Sequence, residues 1–477
     1  MCSPLVRGLP ALPSAPEVSR SGLLALMDSL SVKAQNPAVA IASLYCADEA
    51  LPRTPDRWLG LRGNFAWTLL GNGVYAATQW ALLVVIAKLG APELVGRFAL
   101  GLAVCAPVFL LSRLALRPVQ ASDARGEYQF GHYLALRIAS VPVAIVGVGI
   151  VLAIVGYRQE VTWVVLAVAV AKACESLSDP LYGAFQQRER MDYIAQSMIV
   201  KGLLALAAFA LAFVLTRELE WSVAGLATAW AAVLFLFDFR KAAAFLTPAE
   251  LRPRWEPKAL SDLARLALPV GLAAMLLSLH SNVPRYFVER LLGEHALGVY
   301  AALAYPILAV GTVVNALGQS ASPRLARLYA DRNAPGYLKL LLRIVLFGVA
   351  LSTMSMLVVA VFGKELLEFF YRPEYGNYAD LFLLFTVTLL LASVASFLGY
   401  GMTAARLFVV QPILFAIALV VGCVSSYYWI PAHGLKGAVA AYGACLAVQA
   451  LGGLLCTLAA LRRIRSDETA GPVGRRS

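Results

Sequence analysis

Apolar runs of about 20 residues, separated by short polar breaks, recur from Asn64 almost to the end of the chain, and a helix of that length spans a hydrocarbon core of roughly 30 Å. There are twelve, at approximately 65–87, 95–117, 132–156, 161–187, 194–216, 220–240, 264–291, 296–319, 338–362, 379–399, 406–429 and 437–461. None sustains a period of two across a strand length, and a helix is the other spanning structure that pairs its own backbone groups. Composition points the same way. The chain is 60% apolar and 14% charged, whereas soluble domains carry roughly 25% charged residues. So few charges cannot cover a water-facing surface. A disordered chain, a collagen and a disulfide scaffold are excluded; the expected fold class is all-α, a polytopic membrane protein.

The net charge of +12 comes from loops. Lys and Arg gather in alternate breaks: Arg53, Arg57 and Arg62 before the first run, and Arg113, Arg117, Arg125 and Arg137 around the break after the second. Arg240, Lys241, Arg252, Arg254, Lys258 and Arg265 follow the sixth run, and Arg324, Arg327, Arg332, Lys339 and Arg343 follow the eighth. The tail adds Arg462, Arg463, Arg465, Arg475 and Arg476. The other breaks are poor in bases. This bias predicts both termini on the cytoplasmic side and explains the basic excess without nucleic acid. The 7 cysteines form no C-x-x-C, and His132, His280, His295 and His433 have no ligand-spaced partners. No metal or other cofactor is expected.

Residues 1–58 hold Pro4, Pro10, Pro13, Pro16, Pro37, Pro52 and Pro55 and no run long enough for a signal-peptide core. They read as a disordered cytoplasmic extension, with Met27 as an alternative start. The remaining divisions are an N-lobe at 59–240, a cytoplasmic linker at 241–263, a C-lobe at 264–462 and a basic cytoplasmic tail at 463–477. An internal repeat underlies the two lobes. Leu89-Gly90-Ala91-Pro92-Glu93-Leu94-Val95-Gly96-Arg97-Phe98 joins the first two runs, and Leu292-Gly293-Glu294-His295-Ala296-Leu297-Gly298-Val299-Tyr300 joins the seventh and eighth. Each is followed by a run with an internal proline, Pro107 or Pro306. Six helices separate the copies, so both keep the same orientation, which predicts two six-helix lobes about an axis along the membrane normal. Helices 1 and 2 are expected to face helices 7 and 8 across a central cavity.

Several segments carry a resemblance. Leu69-Leu70-Gly71-Asn72-Gly73-Val74-Tyr75, the repeated joins, Leu181-Tyr182-Gly183-Ala184-Phe185-Gln186-Gln187-Arg188, Ser322-Pro323-Arg324-Leu325-Ala326 and Gly434-Leu435-Lys436-Gly437-Ala438 resemble the polysaccharide-biosynthesis flippases. Their superfamily also holds the drug/sodium antiporters and the lipid II flippases. The resemblance covers roughly residues 60–465. It implies a V-shaped, antiporter-like transporter of the bacterial inner membrane. Its implied cargo is an undecaprenyl-diphosphate-linked oligosaccharide, moved to the outer leaflet, with membrane lipids, a polysaccharide polymerase and chain-length proteins as partners.

The charges within the runs mark candidate sites. The fourth run carries Lys172, Glu175 and Asp179 at helical spacing on one face. One ionisable residue at the bilayer centre costs about 2.5–3.5 kcal/mol on insertion scales, so this face must meet protein or a wet cavity. Either Lys172 and Glu175 form an ion pair that locks helices together, or the face serves transport, with Glu175 and Asp179 as coupling residues. The seventh run places Asn282, Arg285 and Glu289 on one face beside Pro284, which removes a backbone bond and is expected to weaken the helix; Glu289 joins Glu175 and Asp179 as a candidate coupling residue. Arg285 has the planar fork that suits a diphosphate; the alternative is a snorkelling Arg paired with Glu289. Asn72, Tyr75 and Gln79 share a face of the first run, Lys201 lies in the fifth, and Asn315 and Gln319 lie in the eighth. Amides such as these either hold helices together or meet cargo. Arg113 and Arg117 are topology anchors or headgroup receivers at the inner mouth.

Gly363-Lys364 is followed by Glu365, so it does not complete a Walker A loop, and neither G-x-S-x-G nor H-E-x-x-H occurs. The chain is therefore read as a transporter without ATP hydrolysis or enzymatic chemistry. A dianionic headgroup moving outward across an inside-negative membrane gains about 2.3 kcal/mol per charge per 100 mV. Other readings stay open. A small-molecule exporter or lipid II flippase of the same superfamily is one. A membrane glycan polymerase or ligase is another, although the longest outer break, 363–378, is short for one.

Overall fold

The computed structural model describes residues 61–123, 126–407 and 410–469. The expectation for residues 1–58 lies outside the described residues, as does 470–477 of the expected tail. Among the described residues all regular structure is helical.

In chain order, α1 is Leu61–Leu89 and α2 is Pro92–Arg113, the latter continued by a short helix, Leu116–Ser122. Next come α3 (Phe130–Val155), α4 (Gln159–Gln187) and α5 (Met191–Thr216). α6 begins at Leu219–Val233, passes through a π-helical turn at Leu234–Asp238 and ends at Phe239–Ala242. The helical stretch Pro257–Ala330 is divided at Gly293 (φ 86°, ψ 177°) into α7 (257–292) and α8 (294–330). α9 is Ala334–Phe370 and α10 is Ala379–Ala404. Val410–Thr469 is divided at Gly434 (φ 61°, ψ −136°) into α11 (410–433) and α12 (435–469). Only glycine enters these two conformations without strain.

Ten of the described helices are long and apolar enough to cross a membrane. The two glycine divisions fall inside two of them, which gives the twelve segments expected from the runs. Pro284 leaves no break: within Pro257–Ala330 the backbone departs from helical geometry at Gly293 instead. The proline still withholds one donor, but the surrounding helix keeps its course.

Helix association here rests on small residues that admit a neighbour, since lipid offers no hydrophobic contrast between helices. The strongest instance joins the two repeats. A methyl at Gly96 would overlap the Glu294 carbonyl oxygen, and one at Gly298 would overlap that of Pro92. Glu93 and His295, 202 residues apart, also meet, at 2.9 Å. Gly96 and Gly298 occupy matching positions in the two copies, as do Glu93 and His295, so each touches its own counterpart. The pseudo-two-fold axis therefore passes through this contact. Arg97 fastens the same end, with Nε 2.6 Å from Glu294 and Nη2 2.6 Å from Glu160.

α2 packs directly on α7 and α8 rather than facing them across open space. Tyr286 on α7 donates its hydroxyl proton to the Ala103 carbonyl of α2. Nearer the basic end, Leu116 and Tyr133 cluster with Leu263 and Ala267 of α7. α2 stops between Arg113 and Leu116, where Leu114 (φ 52°) and Ala115 (φ 47°) are both left-handed, a conformation that costs non-glycine residues roughly 1–2 kcal/mol each. Between α2 and α3, the Asp123 carboxylate accepts from the Glu127 and Tyr128 N–H groups, each at 3.0 Å. Burial raises its pKa, but the Tyr128 and Glu127 N–H bonds outweigh that and hold it below the usual range.

The glycine contact yields a paired prediction. Gly298→Ala forces α2 and α8 apart at a cost of about 1–3 kcal/mol, the usual range for overpacking. Gly73→Ala, on α1 with nothing within 4 Å of the new methyl, carries no such penalty. Thermal melting of the purified protein is expected to fall for the first and to hold or rise for the second. Equal melting temperatures would contradict the close approach.

Candidate functional site

The intramembrane charges converge on α4. Its first half buries Val161, Val164, Val165 and Val168, an apolar seam against its neighbours. Its second half turns polar on successive turns of the same face. Glu175 sits between two bases, with Lys172 Nζ at 2.8 Å and Arg113 Nη2 of α2 at 3.1 Å. Arg113 Nε also donates to Ser176 Oγ at 3.1 Å. One turn on, Asp179 accepts from Arg137 Nη2 of α3 at 2.9 Å. Arg137 donates from the same nitrogen to the Arg113 carbonyl at 3.0 Å. Lys172 lies over the Trp230 ring of α6, 5.3 Å from its centroid. Tyr75 of α1 approaches the same ring at 6.4 Å.

A second group forms on the flank of α4 toward α5 and α6. Lys201 Nζ donates to Ser178 Oγ at 2.7 Å and to Tyr182 Oη at 3.0 Å, and lies 3.4 Å from Asp238 Oδ2. Ser178 donates to Asp238 at 2.7 Å, and Ser197 donates to its other oxygen. Asp238 closes the π-helical turn and is fully buried, while Phe235 and Leu236 of that turn remain exposed. A π-helical turn shifts the helix register by one residue. Here it carries an acid inward and leaves apolar side chains outward. Because each charge has a counter-charge or several hydrogen bonds, burial becomes tolerable; a lone partner would not be.

Arg285 lies apart from this ladder. Its Nη1 donates to Asn282 Oδ1 at 2.9 Å, while Asn282 Nδ2 donates to the Ser278 carbonyl at 2.9 Å. Its Nε is buried without a partner. No carboxylate among the described residues pairs with it. Glu289 is not that partner. It lines a separate pocket of about 500 Å³ with Arg97, Arg158, Arg290 and Glu294.

The other candidates scatter. Arg117 Nε donates to Gln186 Oε1 at 3.0 Å. Asn72 is exposed and donates to the Thr68 carbonyl of its own helix at 2.8 Å. Gln79 is half-buried, its Nε2 without a partner. Asn315 accepts from Ser396 at 3.2 Å. Sequence reasoning missed two members of the ladder. Asp238 is the only charged residue in 221–239, and Arg137 is the only Lys, Arg, Asp or Glu in 130–155. A lone charge inside an apolar run is itself the signal. Arg137 was grouped with the loop bases; the structure corrects this, since it is fully buried.

Comparisons with known proteins bear on the family and the fold. The pattern of the family described as polysaccharide biosynthesis protein matches residues 62–329. The chain belongs to that family. It is 25% identical over 375 residues to the capsular polysaccharide biosynthesis protein CapF of Staphylococcus aureus, covering 79% of this chain and 93% of that protein. Among solved structures, an inward-facing multidrug resistance MATE family transporter of the MOP superfamily covers 85% of this chain and 96% of its own, at TM-score 0.57 and 14% identity. A MOP superfamily transporter from Pyrococcus furiosus, described as having a binding pocket of reverse polarity, covers 85% and 95%, at TM-score 0.59 and 15% identity. The fold is that of the MATE transporters. The chain is thus a multi-pass membrane member of the polysaccharide biosynthesis family with a MATE-like fold.

The buried pair on α5 and α6 yields a test of what the ladder supports. Lys201→Met leaves Asp238 charged and unpaired, a change expected to cost about 3–5 kcal/mol. Adding Asp238→Asn removes the stranded charge and is expected to restore most of the melting temperature. A single variant as stable as the parent would mean that Lys201 does not balance Asp238.

Proposed function

We propose that this family member is a flippase that carries an undecaprenyl-diphosphate-linked oligosaccharide from the cytoplasmic to the outer leaflet. The observation that carries the reading is Arg285. A guanidinium inside a spanning segment, bonded to one neutral amide and paired with no carboxylate among the described residues, keeps Nη donors for an anion that arrives and leaves. Arg is suited to this because its donors lie in one plane and meet two oxygens of a phosphate together. Arg113, Lys172 and Glu175 on the other half supply a second polar surface, of which Glu175 and Asp179 are the carboxylates for ion coupling.

The bias of the basic loops supports a reading with both termini in the bacterial cytoplasm and the cargo entering from that side. The potential across the membrane drives the anion outward in this reading. In this reading a polymerase and chain-length proteins consume the flipped product on the far side.

Complementation of a flippase-deleted strain, scored by surface polysaccharide with membrane expression checked in parallel, tests the assignment. A hydrogen bond to a charged group contributes about 1.5–3 kcal/mol, equivalent to roughly 10- to 100-fold. Arg285→Ala is expected to reduce transport by that factor, and Arg285→Lys by less. Full transport by Arg285→Ala would remove the residue from the cargo path. Failure of the parent chain to restore polysaccharide, while exporting dyes or drugs, would favour a small-molecule exporter.

A further inference from the structure

The second half of the molecule contains a cavity of about 710 Å³, lined by α7, α8, α10, α11 and α12, with Leu110 of α2 at its edge. That volume falls within the usual range for ligand sites, roughly 300–1,000 Å³. No Asp, Glu, Lys or Arg lines it; its only basic side chain is His280. The contrast with the first half, where α2 to α6 hold Arg113, Arg137, Lys172, Lys201 and their carboxylates, is complete.

Polar groups are nonetheless present, and some are unfulfilled. Gln449 Nε2 lies 2.8 Å from His280 Nε2, and that ring stacks on Phe415 with centroids 6.2 Å apart. Gln411 Nε2 donates to the Gly399 carbonyl and to Thr403 Oγ1, both at 2.8 Å. These bonds fix the two amides with Nε2 turned into the protein. Each Oε1 has no hydrogen-bond partner among the described residues, and neither is among the sealed, unsatisfied atoms. Both acceptors are therefore unsealed, on residues that line the cavity. Leucines, alanines, Phe415, Tyr400 and Tyr442 line much of the rest, with Asn315 and four serines among them.

We infer that this cavity receives the uncharged sugar portion of the lipid-linked cargo, while the diphosphate stays with the intramembrane bases. The inference rests on the flippase reading above. A neutral sugar presents hydroxyl donors to amide oxygens and apolar C–H faces to aromatic and aliphatic walls, which is the mixture found here. A hydrocarbon tail would leave both amide oxygens unpaired. A phosphate or a sugar carboxylate would enter with no cation to meet it, at the cost of burying an unpaired charge. The cavity thus favours neutral over acidic glycans.

Binding to the full chain in nanodiscs tests this, with three probes: bare farnesyl diphosphate, the same lipid bearing N-acetylglucosamine, and the same lipid bearing glucuronic acid. Calorimetry is expected to show the neutral sugar tightening binding about tenfold over the bare diphosphate and glucuronic acid giving no such gain. Gln449→Leu and Gln411→Leu are each expected to erase the gain while leaving bare farnesyl diphosphate unaffected. Gln411 is half-buried, so its variant carries the test if Gln449→Leu does not fold. Variants that retain the full gain overturn the inference alone. Equal weakening of all three probes also overturns it and assigns the cavity to the lipid. A parent chain that binds none of the diphosphates overturns the flippase reading, and this inference with it.

Discussion

Hydrocarbon admits no unpaired charge cheaply, and this constraint organises the first half of the molecule. α4 carries Lys172, Glu175 and Asp179 where lipid would otherwise lie. Arg113 of α2 pairs with Glu175 and Arg137 of α3 with Asp179, while Lys201 of α5 and Asp238 of α6 pair with each other and bond Ser178 of α4. Four helices are thereby bound to one by groups that cannot leave without stranding a partner. The geometry of α6 follows too, since the π-helical turn brings Asp238 inward to meet Lys201 and Ser178. Arrangements of this kind fix which helix lies beside which, a matter that apolar contact leaves loose in lipid.

The two halves share a repeat but not a chemistry. At one end they meet through Gly96 and Gly298, related positions that approach too closely for any side chain. Away from that contact they diverge. The first half fills its interior with ion pairs; the second keeps an uncharged cavity, with Arg285 of α7 bonded to Asn282. Duplication supplied the frame, and the substitutions placed within it differ. A cargo with an anionic centre and a neutral, hydroxyl-rich end would use both halves at once.

Much of the fold was legible because its cause is one-dimensional. A run must be long enough to span the bilayer, and lengths can be read directly; so could the repeat, whose matching residues sit about 202 positions apart. Even the division of the two longest helices was marked by Gly293 and Gly434, both within motifs that the sequence displays. The site was legible only in part. The face of α4 could be read from spacing, but its partners lie on other helices, and nothing local shows that Glu175 meets Arg113. Arg137 resembled a loop base because it lies near a helix end, yet it is wholly buried. The pairing of Arg285 with Glu289, which spacing allows, is absent: the two side chains diverge toward different surroundings. Pairing across helices depends on rotation about each axis, which a one-dimensional pattern does not contain.

The central claim is that this chain moves a lipid-linked anion through a charged path without ATP. The direct measurement uses proteoliposomes with a fluorescent, diphosphate-linked oligosaccharide lipid and a potassium gradient with valinomycin to set the potential. Accessibility of the label to an external quencher reports its leaflet. The account predicts protein-dependent transfer without nucleotide, accelerated toward the positive side and reversed in bias when the potential is reversed. No transfer above protein-free vesicles, or transfer that requires added ATP, would contradict it.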